Sequence, residues 1–348
     1  MSAPIELARN IFLNEDAELR CGWRIAVFVV CLLLASLVIS GLLALINRVI
    51  PSLPLTVEPS DPQSLPNSEL VYLITSRTTA LITVVAATAV CAPLLEHRSV
   101  GSVGFKLHRG WWRDFLIGAA VGGAAIALAV GIAKISGAVS FESAAFPRAP
   151  LAERSMLLAA ATAVLFFLVA AAFEELLFRG FVFQALLHNA GPVVALVLTS
   201  VPFGIAHLAN PSSTAFSTIN TVLAGLWLGA AYLATRSLWM ATGLHFSWNF
   251  VMAFFFGLPV SGLVTLDRLA LVLGRSGSPE WLSGGNYGPE GGLAATIALL
   301  LATVLIWKTR IFRPADEMRE ALTRGRRGQN EIAATPVNSD QAIRPSER

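Results

Sequence analysis

Apolar residues along this chain gather into eight long runs, at 23–46, 70–95, 115–135, 156–187, 193–208, 219–234, 238–258 and 293–307. A helix needs roughly 20 residues to cross a bilayer, and most of these runs approach or exceed that length. The pattern predicts an all-α, polytopic transmembrane helical bundle of about eight spans. Between the runs lie a Pro-rich external loop at 51–68 and a Gly/Ser-rich loop at 259–290 that holds Trp281 and Tyr287. From 315 onward the chain turns polar and charged, with too few apolar residues to bury, and is expected to be disordered. The expected organisation is a cytoplasmic segment at 1–22, three N-terminal spans at 23–153 and a motif-bearing core at 154–258. An external loop with the final span follows at 259–314, then the tail at 315–348. No solenoid-type repeat and no second soluble domain is visible.

Composition agrees. Of 348 residues, 55% are hydrophobic and 14% charged, against about 25% charged in an average soluble domain. Mean hydropathy is +0.66. The placement of Lys and Arg then sets an orientation. Arg9, Arg20, Arg24, Arg98, Lys106, Arg109, Arg236, Lys308, Arg310 and Arg313 fall on one side of an even number of spans. The other side carries Arg148, Arg154, Arg268 and Arg275. Both termini are therefore expected in the cytoplasm, in a bacterial-type plasma membrane. The first run reads as a retained signal anchor, too long for a signal peptide and without a small-residue cleavage site. The net charge of +3 is read as topology, with the lipid bilayer as partner and no nucleic acid. Cys21, Cys31 and Cys91 show no metal or disulfide spacing.

Candidate chemistry lies in the polar residues that interrupt the spans, because a charge in the bilayer centre costs about 2.5–3.5 kcal/mol on insertion scales. The fourth span carries Glu174, Glu175 and Arg179, the fifth ends with His207, and the seventh contains His245 and Asn249. Glu175 and Arg179 stand i,i+4 with the acid first, the favourable order for a pair. Glu174 then points about 100° away around the helix and is free for another task. If the turn between spans four and five is His188–Pro192, Glu174 and His207 both lie roughly 24–26 Å from it, at one depth. Spacing alone does not bring span seven to them. Arg77, near the external end of span two, reads as a snorkelling side chain, and Gly225 with Gly229 as small-residue helix packing.

These residues resemble the CPBP membrane proteases, which include the type II CAAX prenyl endopeptidases and the Abi or bacteriocin-immunity proteins. That family's E-E-x-x-x-R, F-x-x-x-H and H-x-x-x-N/D motifs stand here as Glu174-Glu175-Leu-Leu-Phe-Arg179, Phe203-Gly-Ile-Ala-His207 and His245-Phe-Ser-Trp-Asn249. The likeness spans about 155–257. It implies proteolysis of a membrane-anchored peptide or protein, prenylated or bacteriocin-like, inside the membrane near its cytoplasmic side. Glu174 with His207 would activate a water, and His245 with Asn249 would hold the oxyanion or help bind that water. Glu175, Arg179 and Phe203 would support them. Glu174, His207 and His245 are also a set able to ligate a divalent metal such as Zn²⁺, and a metal-free glutamate mechanism fits the same residues. Two other classes stay open: a non-proteolytic immunity or scaffold protein that binds a peptide or partner helix, and a small-solute transporter. The transporter lacks the matched halves such folds show.

Overall fold

The computed structural model describes residues 11–14, 18–50, 66–103, 105–143, 156–264, 270–309 and 311–314. Most of the N-terminal segment, nearly all of the Pro-rich loop and the tail lie outside the described residues. Eight long helices follow one another: α1 Cys21–Val49, α2 Pro66–Glu96, α3 Trp111–Ile135, α4 Met156–Arg179, α5 Phe181–Ala206, α6 Ala215–Thr235, α7 Leu238–Phe250 and α8 Leu293–Lys308. Among the described residues five helical segments are long and apolar enough to cross a membrane. One of these, Ala160–Ala206, is 47 residues long. The chain is an integral membrane protein.

That long segment holds two crossings. The apolar run at 156–187 is not one helix: Gly180 breaks it directly after Arg179, and α5 begins at Phe181. Gly191 then leaves helical geometry at φ 85° and ψ 173°, a region open to glycine because it has no Cβ. It turns α5 back on itself within the expected His188–Pro192 stretch. Phe183 and Leu196, on either side of Gly191, both meet the position where Gly229 of α6 would carry a Cβ. The two halves of α5 therefore lie side by side against α6, and Gln184 hydrogen-bonds Tyr232 there. Gly225 packs on Ser200 in the same interface.

The core is built on α3 and α7. Gly118 and Gly122 of α3 and Gly243 of α7 bring the two backbones together. A Cβ added to Gly243 would stand 2.2 Å from the Phe115 carbonyl oxygen, and one on Gly122 would stand 2.2 Å from that of Leu244. Neither clash can be relieved by a side-chain rotation, since both obstacles are backbone. This contact fixes the depth of His245, two residues beyond Gly243. After Asn249, α7 widens into a π-turn, Val251–Phe255, a distortion frequently found beside functional sites.

The described part of 259–290, expected as a Gly/Ser-rich loop, contains more order than its composition suggests. Val272–Ser276 (β2) pairs antiparallel with Val139–Ser143 (β1), with Phe141 opposite Gly274. A single helical turn, Glu280–Ser283, follows.

Candidate active site

The site is assembled where α4, α5 and α7 meet. Glu175 and Arg179 are fully buried and pair at 3.2 Å. Arg179 also donates 2.9 Å to the carbonyl of Gly225 on α6, and its guanidinium lies 4.5 Å above the Phe203 ring, a cation–π contact. The same ring packs edge-on to Phe178 and touches both His207 and His245. Phe203 is thus the aromatic post around which the motif residues of three helices are arranged.

Both imidazoles are held at Nδ1. That atom of His207 lies 2.7 Å from the Phe203 carbonyl. A carbonyl only accepts, so Nδ1 carries the hydrogen and Nε2 is left facing the site. Nδ1 of His245 donates 2.9 Å to Oε1 of Glu175. Both Nε2 atoms then face one oxygen, Oε2 of Glu174, at 3.9 Å from His207 and 3.8 Å from His245. These separations are too long for hydrogen bonds. Glu174 Oε2 is buried with no hydrogen-bond partner, which is rare for a buried polar atom and points to an occupant. Span seven, which spacing could not place, supplies one of the two imidazoles.

Glu174, His207, His245 and Asn249 all line a single cavity of about 240 Å³. Asn249 stands one turn beyond His245 on α7, where the two share a face. The cavity is otherwise mostly apolar, with Phe166, Phe167 and Phe173 of α4 along one wall. Two further charged residues line it that the motifs do not include. Arg77 of α2 is half-buried in its wall. Glu290, in the loop before α8, accepts 3.0 Å from Trp248 Nε1 and 2.7 Å from both the amide and hydroxyl of Ser261. Asn220 of α6 donates 2.8 Å to the Glu290 carbonyl, so this loop is pinned over the cavity from two helices. Beside it burial, with help from Glu290, pushes the Tyr287 phenol up to about 12. Tyr287 therefore remains a neutral hydroxyl against Thr221.

Segments between the helices also reach the cavity: His207 and Asn210 follow α5, Ser261 and Leu263 follow α7, and Glu290 precedes α8.

A metal would need closer ligands. Two donors bound tetrahedrally at about 2.0–2.1 Å from zinc lie roughly 3.3 Å apart, whereas the Nε2–Oε2 separations here are 3.8 and 3.9 Å. Among the described residues no group of three or more His, Cys, Asp or Glu side chains is set to hold a metal ion.

Residues 156–251 match the family model described as Rce1-like, type II CAAX prenyl endopeptidase. The resemblance to the CPBP proteases is borne out. The matched stretch runs from the start of α4 to the first residue after α7, so the Rce1-like region contains all three motifs and every contact made around Phe203. Arg77 and Glu290 lie outside it. No curated protein and no solved structure matches the chain. The Rce1-like match supports a membrane protease of the CAAX type in general.

Proposed function

We propose that this protein is an intramembrane endopeptidase that hydrolyses a peptide bond of a membrane-anchored substrate, with Glu174 as general base. The observation that carries this reading is the buried, unpartnered Oε2 of Glu174, faced by two imidazole Nε2 atoms whose other nitrogens are already committed. A water held there loses its proton to Glu174 as its oxygen attacks the peptide carbonyl carbon. Nε2 of His207, an acceptor in this tautomer, orients the water's second hydrogen. His245, doubly protonated with Glu175 as counter-ion, donates Nε2–H to the developing oxyanion beside the Asn249 carboxamide. Such preorganised donors act strongly in a dry site. Glu174 then returns the proton to the leaving amine, giving a carboxylic acid and a free amine. Burial of the two acids with Arg179 is consistent with an imidazolium at His245, because it brings the cluster to zero net charge.

The substrate class is a peptide anchored in the same bilayer, prenylated or otherwise, since the cavity wall is aromatic. Sidedness bears on which one. Among the described basic residues Arg20, Arg24, Arg98, Lys106, Arg109, Arg113, Arg236, Lys308 and Arg313 lie at the end of the termini. Arg48, Lys134 and Arg275 lie at the end of the cavity. The charge bias favours cytoplasmic termini with the cavity opening on the opposite face.

The test is cleavage of membrane-anchored reporter peptides, prenylated ones included, by purified protein of measured metal content. Wild type is expected to cleave, with and without a chelator, and His207→Ala to lose the activity while keeping its unfolding midpoint. Equal cleavage by His207→Ala would remove the imidazole from the mechanism. Peptide binding without cleavage across the panel would favour a non-proteolytic scaffold.

A further inference from the structure

Arg77 was the polar residue of the spans with the least apparent purpose, and the fold gives it one. It sits in α2 among Leu73, Ile74 and Leu81, and the packing of α2 on α4 carries it into the wall of the cavity that contains Glu174. Among the described residues lining that cavity it is the only Lys or Arg. No hydrogen bond or ion pair satisfies its guanidinium among the described residues. The nearby acids are otherwise engaged. Glu175 is held by Arg179 and His245, Glu290 by Trp248 and Ser261, and Glu174 faces the two histidines. An unpaired cation inside a membrane helix is costly and faces a cavity or a partner. Here it has the cavity, and the partner must come with the ligand.

We propose that Arg77 is a substrate-binding residue that receives a carboxylate carried by the peptide, placing the chain for attack at the Glu174 end of the same cavity. The planar fork of guanidinium N–H donors matches a carboxylate in two parallel hydrogen bonds. The largely apolar walls around it exclude competing water and strengthen the pair. A neutral peptide end would leave the guanidinium desolvated and unsatisfied, so the site discriminates against it. This proposal rests on the endopeptidase reading for its substrate. The guanidinium could equally meet a lipid phosphate, and the test separates the two sources.

Two reporter peptides are needed, identical in sequence and anchor, one ending in a free carboxylate and one in a carboxamide, neither with an acidic side chain. Binding is measured first, on the Glu174→Gln protein in neutral detergent, so that the result does not depend on turnover. The free acid is expected to bind about 10- to 100-fold more tightly than the amide, the range of one charge-assisted bidentate pair. Arg77→Gln abolishes that preference and Arg77→Lys restores part of it. In the cleaving enzyme the same change appears in KM for the free acid, with kcat reduced far less. Equal binding of acid and amide by the Arg77 protein overturns the proposal. So does a preference that survives Arg77→Gln. If Arg77-dependent retention is instead found for phosphatidylglycerol added without peptide, and that lipid displaces neither reporter, the cavity cation belongs to a lipid and the proposal fails. Loss of cleavage with acid-selective binding intact would count against the protease reading alone.

Discussion

Glu174→Gln is expected to lower kcat on a cleaved reporter by about 10²- to 10⁴-fold, the usual worth of a general base, with the fold intact. Glutamine keeps the volume and shape of the side chain and removes only its ability to take a proton. The substitution is mild for stability because Oε2 of Glu174 makes no hydrogen bond that would be lost, and its two neighbours stand 3.8 and 3.9 Å away. Both imidazoles keep their Nδ1 partners, Phe203 and Glu175. The unfolding midpoint in detergent should therefore stay close to that of wild type while turnover collapses. A variant that retains turnover within a few-fold of wild type would show that Glu174 is not the base.

The second large effect is structural. Arg179→Met leaves Glu175 as a fully buried carboxylate whose only remaining partner is His245, and the Gly225 carbonyl loses its donor. Breaking a buried pair from one side costs about 3–5 kcal/mol, because the surviving charge stays out of water. Arg179→Met is thus expected to depress the unfolding midpoint sharply. The double variant Glu175→Leu/Arg179→Met removes both charges and should recover much of that loss, since apolar replacement of a whole buried pair is often close to neutral. Its activity should not return, because nothing then holds His245 by its Nδ1. Recovery of cleavage together with stability would mean that Glu175 does not position the imidazole. The readouts are thermal unfolding and turnover on the same preparations.

The helices and the motif chemistry were legible in the sequence because each depends on near neighbours. Eight apolar runs foretold eight long helices, and the i,i+4 relation of Glu175 and Arg179 survives as a direct pair. Counting residues from the turn brought Glu174 and His207 to one depth, where they lie 3.9 Å apart. Contacts set by packing were not legible. His245 reaches Glu174 and Glu175 because glycines at 118, 122 and 243 let α3 and α7 approach, and such a register between distant helices leaves no spacing rule in the chain. Arg77 reads in the sequence as a snorkelling residue because its distance from a helix end is visible there and its neighbour α4 is not. Glu290 carried no signal at all in a Gly-rich loop. The break at Gly180 was hidden because apolar residues continue on both sides, and only a backbone angle distinguishes it.

One feature of α1 matters for how the protein sits in membranes of different composition. Its 29 residues would measure about 43 Å as a helix, well beyond a hydrocarbon core of about 30 Å. Its buried residues, Arg24 and Phe28, lie near its start. There Arg24 bonds Glu18, Glu96 and the Leu19 carbonyl, and Phe28 stacks on Phe181. Farther along, Leu33, Leu37, Leu42 and Val49 stand bare on its surface. A helix longer than the hydrocarbon core and most deeply packed at one end absorbs hydrophobic mismatch by tilting. The packed helices around Glu174 are thereby insulated from bilayer thickness, and acyl-chain length should alter the angle of α1 before it alters the geometry of the cavity.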